Sequence, residues 1–314
     1  MDRKTQTIKL KDSRKLAYID YGDTLSTKLV LQHHGFPSSK MEGLIFHEKA
    51  LEMNIRLITI DRPGFGDSDI DADHSIKKYI SEDLVELVEQ LEPKPTEISM
   101  LGISGGGPYV AASLFYWPRH VPPVKNAVFC AGLCPNDPKI ANCSFKFRMM
   151  FNMFSWSWYV LYPTFSLQAW MMKSFFTTYL EESEKQQENQ TSIRNKMKSA
   201  LTTADYEALS QNDNENFKIF MLFLRDAYKN PDYLNVFIKQ AWQYTADPGF
   251  KMSEIETKAN VTVFQGGIDT QVPQEVGELI ASEIKGAELK LYPDEGHLSL
   301  IINKKQEILA ACLK

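Results

Sequence analysis

The sequence predicts an α/β fold in which a mostly parallel β-sheet with crossover helices is interrupted by a long helical insertion. Three observations support this prediction. Short apolar runs alternate with amphipathic stretches over residues 1–133, the alternation stops after residue 133, and it returns after residue 250. Strands that alternate with helices are typical of a parallel sheet, because a parallel neighbour is reached through a crossover connection.

The elements of the two outer segments follow in a regular order. Ser75–Leu91 is expected to form a helix because its apolar residues recur at helical spacing, and Gly106–Tyr116 forms a second, small-residue helix. A last amphipathic helix is expected over Leu298–Leu313. Strands are expected at Lys15–Tyr21, Lys28–His33, Ile55–Ile60, Glu97–Ile103, Ala127–Ala131, Val261–Phe264 and Leu289–Tyr292.

The middle segment has a different character. It is rich in Met, Phe, Trp and Tyr, and its clearest helical patterns are Asn216–Tyr228 and Tyr233–Tyr244. At roughly 115 residues it is longer than connecting loops usually are, so it is expected to be a domain. The predicted organisation is a core of residues 1–133 and 251–314 that carries a helical cap or lid of residues 134–250.

Composition narrows the classes of function. The 314 residues carry a formal net charge of −5 and are 43% hydrophobic. This acidic balance offers no electrostatic basis for nucleic-acid binding. The four cysteines lack the spacing of a metal site, so we expect no metal. Few cysteines, together with no apolar leader after Met1, favour a cytoplasmic location.

A candidate nucleophile lies in the sequence Gly102-Ile103-Ser104-Gly105-Gly106, which matches G-x-S-x-G. The motif directly follows an expected strand and opens an expected helix, as a nucleophile elbow requires. Side chains two residues before and after the serine would collide with the neighbouring strand and helix, which favours glycine there. Ser104 is therefore predicted to be a catalytic nucleophile.

A serine hydroxyl needs a base, and the base needs an orienting group. His297 lies in a loop after the last expected strand, and Asp269 lies just past the carboxyl end of the strand before it. A helix cap is the simpler explanation of Asp269 taken alone, and a structural role that of a single histidine. The chain order Ser104, Asp269, His297 nevertheless favours a catalytic triad.

Five short segments of the sequence form a recognisable set: His34-Gly35-Phe36-Pro37, Asp61 to Ser68, Gly102 to Gly106, Gly267-Ile268-Asp269 and Gly296-His297. Together they resemble the α/β-hydrolase superfamily, in its epoxide-hydrolase and esterase-like branch. The resemblance covers Ile19–Leu133 and the chain from Phe250 onward. It implies an eight-stranded, mostly parallel sheet with an inserted helical cap, no metal and no organic cofactor.

The resemblance also implies an oxyanion hole made by the backbone N–H groups of Phe36 and Gly105. His34 and Gly35 are expected to support that loop, as Gly102 and Gly106 support the elbow. Epoxide hydrolases and haloalkane dehalogenases of the family carry aspartate where this chain has Ser104. Serine favours acyl transfer to water instead, which predicts a serine esterase acting on a small, apolar acyl substrate.

Several alternatives stay open at this stage. The same triad could serve C–C bond hydrolysis or an aminopeptidase, and a receptor-like binding protein could retain it with little turnover. The run Met149–Tyr159 is rich in Met and aromatic residues, which fits a substrate pocket under a lid. It fits packing of the insertion on the core equally well, and contact with a membrane surface is the less favoured third interpretation.

Overall fold

The computed structural model describes residues 4–180 and 186–314. Its centre is an eight-stranded sheet in the order β1-β2-β4-β3-β5-β6-β7-β8. The pairs β1–β2 and β2–β4 are antiparallel, and all the others are parallel, so the predicted fold class is confirmed. The strands are β1 Gln6–Lys9, β2 Lys15–Gly22, β3 Lys28–His33, β4 Arg56–Ile60, β5 Glu97–Ile103, β6 Val124–Cys130, β7 Asn260–Gly266 and β8 Glu288–Tyr292.

The helices of the two outer segments cover both faces of this sheet. A single π turn at Tyr79–Asp83 joins α2 to α3, so the expected helix over Ser75–Leu91 is irregular in its middle. The expected last helix is divided at Lys304 into α11 and α12. These helices are α1 His47–Glu52, α2 Ile76–Lys78, α3 Leu84–Gln90, α4 Gly107–Tyr116, α10 Gln274–Glu283, α11 His297–Asn303 and α12 Lys305–Ala311.

The sheet is buried on both faces, which explains why its central strands are continuous apolar runs. In β3, Leu29 and Leu31 pack into the apolar cluster on one face, while Val30 packs into the cluster on the other face. The same alternation holds in β5, where Met100 and Leu101 lie in different clusters. This period of two follows from the strand geometry.

Between β6 and β7 the described residues form helices. The run Met149–Phe165 is split between α5 and the beginning of α6, and no helix in the described part of the chain is long and apolar enough to cross a membrane. Backbone angles at Gln211–Asn214 are not helical, so α8 is kinked there. The helices are α5 Phe145–Met153, α6 Trp158–Leu180, α7 Gln186–Ala200, α8 Thr203–Ala227 and α9 Tyr233–Thr245.

A buried lysine joins the sheet to α8. The ammonium of Lys40 lies 2.8 Å from Asp61, 2.9 Å from Asp67 and 2.7 Å from Asp226. Lys40 and Asp61 are fully buried, whereas Asp226 belongs to α8. Burial alone would lower the pKa of Lys40, but Asp61 and Asp226 raise it above the usual lysine value. The three carboxylates are close enough to hold a cation, and the Lys40 ammonium supplies that charge.

Candidate active site

The three residues of the predicted triad lie at one edge of the sheet. Ser104 directly follows β5, Asp269 follows β7, and His297 begins α11 after β8. Because β5, β6, β7 and β8 are parallel neighbours, their carboxyl ends meet at the same edge. Ligands of open α/β sheets bind at this edge.

The chain turns sharply at Ser104. Its φ of 50° lies in the left-handed region, which costs free energy for a residue with a side chain. A Cβ at Gly102 would lie 2.7 Å from the carbonyl oxygen of Gly106, and a Cβ at Gly106 would lie 2.2 Å from that of His33. Glycine at both positions therefore allows the tight passage from β5 into α4.

Asp269 and His297 form a direct pair. Oδ2 of Asp269 lies 2.7 Å from Nδ1 of His297, and both side chains are buried. The other oxygen of Asp269 accepts hydrogen bonds from the backbone N–H groups of Gln271, at 2.8 Å, and Val272, at 2.9 Å. The carboxylate is therefore held in one orientation, and it holds the imidazole in turn.

Asp205 fixes the helix that carries His297. This buried residue of α8 accepts hydrogen bonds from the backbone N–H groups of Leu298 and Ser299, each at 2.8 Å. A carboxylate at a helix N-terminus satisfies N–H groups that have no partner within the helix. A residue of the insertion thus caps the first turn of α11, directly beside His297.

The charges around His297 decide its protonation. Burial on its own lowers the pKa of His297, because water no longer solvates the imidazolium form. The negative charge of Asp269 raises the pKa, and Asp205 and Glu42 raise it further. Together they outweigh burial, so the pKa of His297 lies above the ordinary histidine value of 6.5.

Ser104 and His297 line one cavity of about 180 Å³. The described residues form the hydrogen bond between Asp269 and His297. They form no hydrogen bond between Ser104 and His297. Catalytic hydrogen bonds are often long without a bound substrate and shorten in the complex. The remaining wall of the cavity is largely apolar, and it includes Met172 and Phe220 from the insertion.

The loop after β3 reaches the same cavity. Gly35 and Phe36 line it, and a Cβ at Gly105 would lie 3.2 Å from the backbone nitrogen of Phe36, so the two predicted oxyanion donors are neighbours. Nδ1 of His34 lies 2.8 Å from the Gly35 oxygen. The buried guanidinium of Arg62 donates to the carbonyl oxygens of His34, at 2.6 Å, and Gly35, at 2.7 Å.

Glu42 holds this loop from behind. Its carboxylate accepts from the Gly35 N–H at 3.1 and 3.2 Å and from the Ser38 hydroxyl at 3.0 Å. The amide of Gln32 donates to it at 3.1 Å. Burial raises the pKa of Glu42 to about 7, although the hydrogen bonds from Gly35 and Ser38 oppose that rise. Glu42 thus places a titratable group at the wall of the cavity.

The sequence matches the family model of the alpha/beta hydrolase fold over residues 28–304. The chain belongs to the alpha/beta hydrolase family. The resemblance predicted from the sequence motifs is therefore confirmed. None of the curated proteins matches the sequence.

Several solved structures are similar to this protein over nearly the whole chain. An esterase from Exiguobacterium antarcticum has 17% identity and a TM-score of 0.68, with 99% of this chain and 100% of that chain covered. A bromoperoxidase from Bacillus anthracis has 18% identity and a TM-score of 0.68, with 99% of each chain covered. An enol-lactonase from Burkholderia xenovorans LB400 has 15% identity and a TM-score of 0.63, with 98% and 100% covered. At these identities the likeness shows the fold.

Sequence reasoning did not single out two residues that this alpha/beta hydrolase places at the site, Glu42 and Asp205. Both stand three residues after a Ser or Thr, in Ser39-Lys40-Met41-Glu42 and Thr202-Thr203-Ala204-Asp205. That spacing is the signature of a capping box. Ser39 and Thr202 do cap their own helices, but both carboxylates bind elsewhere. The capping signature marks these acidic residues without revealing which groups their carboxylates bind.

Proposed function

We propose that the protein is a serine hydrolase that cleaves a carboxylic ester, or a related acyl bond, of an apolar small molecule through an acyl-enzyme. The observation that carries this proposal is the buried Asp269–His297 pair, whose imidazole lines the same cavity as Ser104. The apolar wall of that cavity favours an apolar substrate. The names of two similar structures, an esterase and an enol-lactonase, support the choice of an ester bond.

In the first half of the reaction, His297 removes the hydroxyl proton of Ser104 while Oγ attacks the substrate carbonyl carbon. The backbone N–H groups of Phe36 and Gly105 donate to the oxyanion that forms. Asp269 keeps Nδ1 of His297 protonated, so that Nε2 is the base, and stabilises the imidazolium. The imidazolium then gives its proton to the leaving alcohol as the ester C–O bond breaks.

In the second half, water replaces the alcohol. His297 removes a proton from the water as its oxygen attacks the acyl-enzyme, and the imidazolium returns that proton to Ser104 as the acid leaves.

The four cysteines are buried and unpaired, which agrees with a reducing compartment. We propose that the protein works in the cytoplasm.

Hydrolysis of 4-nitrophenyl acetate tests the proposed function directly. We expect turnover well above the rate in buffer, with a rapid first release of nitrophenolate if hydrolysis of the acyl-enzyme is the slower step. A rate no higher than that of the buffer, for this and longer acyl chains, would contradict the proposal. A receptor-like protein that binds its ligand with little turnover would give that result.

The rate should depend on pH through His297. Neutral imidazole is the active form, so kcat/KM should fall as the pH is lowered through the raised pKa, and the midpoint should lie above 6.5.

Asp205→Asn removes a charge that raises this pKa, so the midpoint should move to lower pH. The same change should cost about 0.3–1 kcal/mol of stability, because it weakens the charge at the α11 N-terminus.

Asp294→Asn is the matched control for this measurement, because Asp294 is an exposed carboxylate three residues before His297. Water and salt screen exposed charges, so the control should leave the midpoint unchanged. An unchanged midpoint in Asp205→Asn would show that Asp205 does not tune His297.

Glu42→Gln should lower kcat by roughly tenfold with little change in KM, because an amide cannot replace both acceptor oxygens of a charged group. The ionised carboxylate accepts from Gly35, Ser38 and Gln32, so wild-type activity should require loss of a proton from Glu42 as well as from His297. The acid limb of log kcat/KM should therefore be steeper in wild type than in the variant.

Glu48→Gln provides the control, since Glu48 is an exposed glutamate on nearby α1. It should leave both kcat and the slope of the acid limb at their wild-type values. If Glu42→Gln behaved like this control, Glu42 would have no part in positioning the loop.

A further inference from the structure

A second cavity lies on the other side of the Asp269 loop. It has a volume of about 500 Å³ and is bounded by α5, the turn that follows α5, and residues 269–273. We call it the Met groove, and its apolar wall consists of Phe147, Met149, Met150, Met153 and Trp156. Phe147 is buried in the main apolar cluster, and Met150 packs against that cluster, so the floor of the groove is fixed to the core.

The outer wall of the groove is also anchored. The indole N–H of Trp242 in α9 donates to the carbonyl oxygen of Trp156 at 2.8 Å. This bond ties the turn after α5 to a second helix of the insertion. The groove is therefore formed in advance of any ligand, which lowers the cost of binding one.

The Met groove adjoins the cavity of the triad. Gln271 lines both spaces, and Asp269, which binds His297, forms part of the groove wall. The Ser104 cavity, at about 180 Å³, is smaller than pockets for small molecules usually are, whereas the groove, at about 500 Å³, falls within their range. A substrate with its carbonyl at Ser104 that passes Gln271 would enter the groove.

We propose that the Met groove binds the hydrocarbon chain of an elongated ester whose carbonyl lies at Ser104, with Gln271 at the passage between the two spaces. This inference rests on the proposed function and names its substrate class. An apolar, unbranched chain fits the wall because methionine side chains adapt to flexible apolar ligands. The chain could belong to the acid or to the alcohol of the ester, and each source gives a different outcome below.

Chain-length dependence provides the test. One series consists of 4-nitrophenyl esters from acetate to decanoate, and the other consists of alkyl acetates from ethyl to decyl, followed by acid release. Full burial of one methylene is worth roughly fourfold in binding, so even a partly open groove should raise kcat/KM at least about tenfold over one series. A rise in the first series assigns the chain to the acid, and a rise in the second assigns it to the alcohol.

A matched pair of variants locates the effect. Met149→Glu places a charge in the groove, whereas Leu167→Glu places one on exposed α6 outside the groove, and the two parent side chains are similarly exposed at 56% and 59%. The ratio of long-chain to short-chain kcat/KM should fall at least about fivefold in Met149→Glu, since a hydrocarbon chain packed against the groove wall would displace water from the glutamate charge. It should keep its wild-type value in Leu167→Glu. Thermal melts of both variants check that they fold.

Each outcome bears on the proposal. Acetate hydrolysis without chain-length dependence in either series, or an equal ratio in Met149→Glu and wild type, overturns the groove assignment and leaves the proposed function standing. Failure to hydrolyse any ester of either series overturns both. A rise with chain length that Met149→Glu abolishes and Leu167→Glu preserves establishes the groove as the chain-binding site.

Discussion

Replacing Ser104 by alanine should lower kcat/KM for 4-nitrophenyl esters by at least about 10³-fold, because the acyl-enzyme cannot form without the hydroxyl. The residual rate should come from substrate binding and the backbone donors of Phe36 and Gly105. Substrate affinity should change little, since alanine removes one atom from the cavity wall. Steady-state kinetics, with titration of a non-hydrolysed ester analogue for affinity, measures both effects.

Ser113→Ala is the matched control for this substitution. Ser113 lies in α4, the helix that begins behind Ser104, and its buried hydroxyl donates to the Tyr109 carbonyl oxygen at 2.8 Å. Removing this hydroxyl should leave kcat/KM near its wild-type value. A Ser104→Ala variant that kept a tenth of wild-type activity would show that another group is the nucleophile.

Lys40→Met should destabilise the protein by about 3–5 kcal/mol, the usual cost of leaving one partner of a buried ion pair without its counter-charge. The cost is large here because Asp61 is fully buried and Lys40 is also the contact of Asp226 in the insertion. Urea unfolding, followed by tryptophan fluorescence and by far-ultraviolet circular dichroism, measures the change in the free energy of unfolding.

The surface ion pair of Lys49 and Glu52 provides the control. Exposed pairs contribute about 0–1 kcal/mol, so Lys49→Met should have little effect on stability. The double variant Lys40→Met with Asp61→Asn should recover part of the loss, because it removes the unpaired charge. A Lys40→Met variant as stable as wild type would show that the three carboxylates are neutralised in another way.

The sequence predicts those parts of the fold that depend on local pattern. The strands β3 and β5 have the bounds that the sequence predicts, since β3 ends at His33 and β5 ends at Ile103, directly before Ser104. Ser104, Asp269 and His297 could be placed because each follows a strand end, and the ends of parallel strands meet at one edge. Local pattern carries this information directly.

The contacts that join distant parts of the chain could not be predicted in the same way. Asp205 and Leu298 are 93 residues apart, and Lys40 and Asp226 are 186 apart. A carboxylate has the same sequence signature whether it caps its own helix or another one. The structure of the insertion is harder to predict from the sequence. Its Met and aromatic residues belong to one run, yet some line the groove, some pack on the core and some lie exposed on α6.

Labelling with a fluorophosphonate probe tests the central claim most directly, because the probe reacts with an activated serine and needs no knowledge of the natural substrate. Wild type should take up one probe per chain, with the adduct on the peptide that contains Ser104, and labelling should weaken as the pH falls through the His297 midpoint. Absence of labelling in folded wild type, or equal labelling of Ser104→Ala, would contradict the claim that Ser104 is the nucleophile of a serine hydrolase.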